Sequence, residues 1–91
     1  MRIALALDGD EIATVCDFAR ILRVVELAEG RELAREERPL DAAEPAILAR
    51  RIRESGAGLL LCGDLSRALV AGLAGSGLRI VSGLRGPAAA A

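Results

Sequence analysis

The sequence predicts an α/β domain built on one mixed sheet, and three observations carry that prediction. Near-continuous apolar runs of strand length stand at residues 2–7, 58–62 and 78–81, the pattern of strands covered on both faces. Two segments carry apolar residues at helical spacing, Ile47, Leu48 and Ile52 in one and Leu65, Leu69 and Leu73 in the other, so helices alternate with the later strands. A heavily charged run at 31–38 follows the Glu29-Gly30 turn, which suits a hairpin returning as an exposed edge strand.

Each element has its own justification. The first strand, 2–7, ends at Asp8-Gly9-Asp10, a loop signal. A second strand runs over 21–27, Ala28-Glu29-Gly30 is a turn whose glycine accepts positive φ, and 31–38 is the third strand. Asp41 and Glu44 have the spacing of a capping box, with Pro45 tolerated in the first turn of a helix that reaches about Ser55. The fourth strand is 58–62 and the second helix is 64–74, with Asp64 as its N-cap. Gly75-Ser76-Gly77 stops that helix before the fifth strand at 78–81. Residues 1–91 form a single domain, and a chain of this length buries roughly 60 to 65% of its unfolded surface, enough for one modest core. The simplest sheet order is 3-2-1-4-5 with strand 2 antiparallel to the rest, which is the order of ribonuclease H-like folds. It places the ends of strands one and four side by side.

Composition removes most catalytic schemes. The chain has no His, Trp, Tyr, Lys, Asn or Gln. Imidazole-dependent nucleophiles, lysine Schiff bases and the usual zinc sites are therefore unavailable. Twelve arginines against 13 acidic residues give a formal net charge of -1 with no basic stripe, and Phe18 is the single aromatic, so nucleic acid is not an expected partner. The N-terminal apolar run is far shorter than a signal-peptide core or the roughly 20 residues that span a bilayer. A cytoplasmic location away from membranes is expected, with Cys16 and Cys62 as reduced thiols.

The chemistry concentrates at Leu61-Cys62-Gly63-Asp64, where a buried strand feeds a helix. Ligands of open α/β sheets sit at such strand ends, and the start of the next helix favours negative charge. Cys62 is a candidate soft ligand or a small buried hydrophobe. Cys16, in the loop after strand one, is expected to be exposed and to meet Cys62 at the same edge. Gly63 and Ser66 are candidates for steadying an anion there. The Arg50, Arg51 and Arg53 cluster reads as a solvated helix face.

Four segments together resemble a known family. They are the opening MRIALALDG, the VCDFARILRVVEL segment from Val15, the Glu29-Gly30 turn, and the stretch from LLLCGDLSRAL to LRIV. These resemble the dinitrogenase iron-molybdenum cofactor biosynthesis family, the NifX-type domain, over roughly residues 1–86. The resemblance implies a ribonuclease H-like fold and, for some members, carriage of nitrogenase iron-sulfur cofactor precursors between assembly proteins. Many members have a His-Phe-Gly-Arg motif in the loop after strand one, where this chain has Val15-Cys16-Asp17-Phe18. Members usually continue into a C-terminal helix, whereas this chain runs through Leu84-Arg85-Gly86-Pro87 into four alanines, so that helix is expected to be reduced or absent.

The expectation is a non-enzymatic carrier or accessory domain for an iron-sulfur cluster or iron-molybdenum cofactor precursor. Its metal ligands would be Cys16 and Cys62, with Gly63 and Ser66 beside them. Two thiols do not fill a four-cysteine cluster site, so a dimer or a cluster keeping other ligands is implied. The expected partner is a cofactor-assembly protein or a second copy, because without the C-terminal helix apolar surface beside strand five and helix two is left uncovered. An interaction or regulatory domain of the same fold that has lost metal binding is the alternative. A metal-dependent nuclease using Asp8 and Asp64 is a third reading, since Asp10, Glu11 and Asp17 lie nearby but none has diagnostic spacing.

Overall fold

A computed structural model of the chain describes residues 1–41 and 44–90. The strands are β1 (Arg2–Asp8), β2 (Glu11–Ile12), β3 (Ile21–Ala28), β4 (Arg31–Pro39), β5 (Leu59–Leu61) and β6 (Arg79–Val81). The helices are α1 (Pro45–Glu54) and α2 (Arg67–Leu73), and single 3-10 turns cover Cys16–Phe18 and Ala88–Ala90. The sheet path is β4-β3-β1-β5-β6, with β2 off this path against β1. β1 pairs antiparallel with β3 and parallel with β5, and β5 pairs parallel with β6. β1 and β5 therefore lie where their apolar composition suits them, in the middle of the sheet, whereas β6, read from its sequence as covered on both faces, is an edge strand with Arg79 and Val81 exposed. Among the described residues, no helix is long and apolar enough to cross a membrane.

Five strands are predicted, and six are found among the described residues. The extra one, β2, is a two-residue return in which Leu7 faces Ile12 and Asp8 faces Glu11 across the Gly9 turn, where φ is 63°. Two residues are too few to register as a period-two pattern. The second helix also starts later than predicted, at Arg67 instead of Asp64, for a reason given below. The position expected to end the capping box, Glu44, is the N-cap of α1, and its side chain makes no capping bond. Residues 42 and 43, inside that predicted box, lie outside the described residues.

The strands alternate their side chains between two faces. Ala4, Ala6, Leu22, Val24 and Leu60 point to one face and pack against Leu48, Ala49 and Ile52 of α1 and Leu69 and Leu73 of α2. The small side chains let the helices sit close: a Cβ added at Gly72 would stand 2.7 Å from the Ala49 Cβ. The opposite face carries Leu5, Leu7 and Val25, with Ile12 and Ala88 completing a second buried cluster. No described helix covers it. Instead, the C-terminal segment crosses it, tied by bonds from Ile12 N–H to the Gly86 carbonyl (2.9 Å) and from Ala88 N–H to the Asp10 carbonyl (2.8 Å). The family-like C-terminal helix is thus represented among the described residues by one 3-10 turn. That segment covers the helix-free face, while Val70 of α2 and Val81 of β6 remain exposed.

Candidate functional site at the β1–β5 edge

The loop between β2 and β3 folds onto the corner between β5 and α2. Val15 bridges Asp64, with Cys16 N–H donating to the Asp64 carbonyl (2.7 Å) and Asp64 N–H to the Thr14 carbonyl (2.9 Å). Gly63 makes this approach possible: a Cβ there would lie 2.3 Å from the Ala13 carbonyl oxygen and 2.4 Å from that of Thr14. The glycine expected to help hold an anion is instead required by the passage of one backbone against another.

This approach brings the two cysteines together, as the sheet order predicts. Their side chains lie within interaction range of each other, and both are 0% exposed in the helix-side core. Cys16 therefore departs from the expectation of an exposed loop thiol. The chain treats it as the apolar anchor of its turn, a common fate for a free cysteine. Cys16 is pushed far above the ordinary thiol range, first by its bond to Cys62 and then by burial. Cys62 is drawn down by accepting that bond, against the opposing effects of burial and of the Asp64 carboxylate.

The start of α2 is also organised differently from the prediction. Ser66, not Asp64, is its N-cap, and its Oγ accepts the Leu69 N–H at 3.1 Å. Asp17 reaches across from the loop and grips the cap: its Oδ1 accepts the Ser66 N–H (2.9 Å) and its Oδ2 accepts the Ser66 hydroxyl (2.6 Å). The negative charge favoured at this helix start is thus supplied by the protein itself. Asp64 instead exposes its carboxylate, 4.0 Å from Arg85, and Asp8 is likewise exposed, 3.9 Å from Arg20. Among the described residues, no three His, Cys, Asp or Glu side chains converge as a metal site would require. Sequence reasoning missed the pairing of Asp17 with Ser66, because 49 positions separate them and no local pattern links them.

Beside this corner lies an open hollow of about 530 Å³, lined by Val15, Asp17, Phe18, Pro45, Ser66 and Ala68 among others. Its walls are mainly apolar, and Phe18 stands at its lip, 78% exposed. The two thiols lie behind the Cys16–Phe18 turn and not in the lining.

No family model matches the chain, and no curated protein matches it. Solved structures are similar to it over nearly its whole length. The crystal structure of PH0822 covers 96% of this chain and 82% of its own, at 20% identity and a TM-score of 0.85. A Methanocaldococcus jannaschii protein described as a "putative dinitrogenase" (MJ0327) matches at 13% identity. Its crystal structure covers 99% of this chain and 81% of its own, with a TM-score of 0.79. The NMR structure of the same protein gives a TM-score of 0.80, with 99% of this chain and 79% of its own covered. At these identities the likeness establishes a shared fold, and the small α/β architecture derived above is that fold.

Proposed function

We propose that this chain is a non-enzymatic accessory domain of the kind that serves nitrogenase-type cofactors. In this reading it takes an iron-sulfur cluster or cofactor precursor as cargo at the β1–β5 edge, with Cys16 and Cys62 as thiolate ligands. The observation that carries the reading is that two soft donors from separate segments meet at one strand edge, next to an open hollow with space for a cargo. The fold shared with the protein described as a "putative dinitrogenase" supports it, as does the sequence resemblance. Two thiols fit such a cargo only in part. The remaining ligands would stay on the cargo, come from a cofactor-assembly protein, or come from the same pair on a second copy in a homodimer. Because both sulfurs are sealed, loading requires the Cys16–Phe18 turn to lift.

A second reading is favoured by one specific observation. Both cysteines are packed as core residues and the helix start is already filled by Asp17, which suits an interaction domain of the same fold without cargo. In that case the hollow with exposed Phe18 is a docking surface for a partner. Anaerobic reconstitution with iron and sulfide separates the two. The carrier reading expects a cluster absorption band that is lost in Cys16→Ala and weakened in Cys62→Ala. Equal binding by the parent and both variants, or none by the parent, overturns it and leaves the interaction domain.

A further inference from the structure

The Cys16–Cys62 pair is more than two adjacent core residues, because of how the turn above it is fastened. Phe18 contributes no anchor, being 78% exposed. The Cys16–Phe18 turn is held by polar contacts on both sides of Cys16. On one side are the two backbone bonds linking Thr14 and Cys16 to Asp64, and on the other the two-pronged grip of Asp17 on Ser66. Within the turn Cys16 is the one buried apolar side chain, while Ala13 and Ala19 anchor the chain on either side of it. Opening this turn removes a few hydrogen bonds and one small buried side chain, while the strands and helices beneath stay packed. Such a local opening uncovers both sulfurs at once, still side by side.

We propose that Cys16 and Cys62 form a reversible redox pair, and that the Asp17–Ser66 clasp gates access to it. The oxidant is a hydroperoxide, small enough to enter when the turn lifts. One thiol takes the terminal peroxide oxygen to become a sulfenic acid, releasing water or an alcohol. The other sulfur then displaces that oxygen as water and forms the S–S bond. In total, two thiols and one hydroperoxide give one disulfide, one water and one further water or alcohol. A dithiol reductant reverses the step. The role of the switch rests on the proposed function: the disulfide consumes both thiolate ligands, so cargo is loaded only by the reduced chain.

The test treats the reduced full chain with hydrogen peroxide, quenches with an alkylating agent and cleaves after arginine. Reading the cysteine peptides 3–20 and 54–67 keeps oxidation of the exposed Met1 out of the measurement. The expected product is these two peptides joined within one chain, lighter by two hydrogens and separated again by dithiothreitol. Cys16→Ser and Cys62→Ser each abolish it. Asp17→Ala forms it at least about tenfold faster at unchanged far-UV circular dichroism, since losing charge-assisted bonds favours the open turn. Should that variant unfold, the parent's rate is followed in sub-denaturing urea, where a gated pair reacts faster well before the global transition. Sulfinic acid or links between chains in place of the internal bond overturn the proposal, as does a rate indifferent both to Asp17 and to urea. Reconstitution is run separately: a disulfide without cluster loading removes only the carrier reading, and cluster loading without a disulfide removes only the switch.

Discussion

The two faces of the sheet are made by alternate residues of the same strands, yet they are finished by different means. On one face Ala4, Ala6 and Leu60 lie under two helices and are sealed. On the other, Leu5, Leu7 and Val25 are buried by β2 and a C-terminal segment, while Ile3, Leu27 and Leu61 stay half-buried around a cavity of about 280 Å³. Neighbouring leucines in one strand, Leu60 and Leu61, thus contribute unequally. The sealed face fixes the fold and hides the chemistry. The open face leaves apolar surface available for contact.

The most severe way to break the sealed face is at its tightest backbone approach. Gly63→Ala drives a methyl group into two carbonyl oxygens and is expected to cost more than about 3 kcal/mol in urea denaturation. The comparison itself is sharpened by a matched pair: Leu60→Ala is expected to cost about 3 kcal/mol, and Leu61→Ala about 1 kcal/mol. Equal losses would mean that the C-terminal segment seals its face as well as the helices do. A smaller effect comes from that segment: Leu84→Ala is expected to lower stability by about 1 kcal/mol and to raise binding of a hydrophobic dye, with Leu60 remaining inaccessible.

A further effect is electrostatic, appears only at high pH and belongs to the sealed face. Cys16 keeps its proton in the folded chain to higher pH than in the unfolded one. Above the ordinary thiol range the unfolded state therefore binds fewer protons, and stability falls as pH rises, by at most about 1.4 kcal/mol per pH unit. Cys62, held below that range, acts with the opposite sign beneath it, so urea midpoints should decline only above it, between roughly pH 9 and 11, and decline less in Cys16→Ala. An unchanged slope would mean that the pair is not proton-linked in the fold.

Much of the architecture was legible because it is written in short-range patterns. The apolar runs at β1, β5 and β6, the turn at Glu29 (φ 54°) and Gly30 (φ 76°), and the charged β4 each announce themselves within a few residues. The meeting of Cys16 with Cys62 was legible one step further on, from strand order. What escaped depends on partners distant in sequence. Asp64 has the identity and position of an N-cap, but it is drawn into pairing with Val15, so the cap passes to Ser66. Cys16 lies in a polar loop yet is buried, because that loop folds back over β5. Gly63 stands out in sequence as part of a strand-end corner, but that context does not reveal which backbone passes beside it.

The charged edge strand has a practical consequence for handling the protein. Among the described residues β4 leaves one side without a partner strand, and its side chains are tied up in pairs, Arg23 with Glu37 across to β3, Arg35 with Glu32, and Arg38 with Glu36. A second molecule adding to this edge must disturb those pairs and face their charges. Concentrated salt weakens that deterrent, since at about 1 M the screening length shrinks to roughly 3 Å. Storage in dilute buffer above the calculated isoelectric point of about 5.4 is therefore expected to keep the chain dispersed, while salting-out steps should promote edge-to-edge pairing at β4.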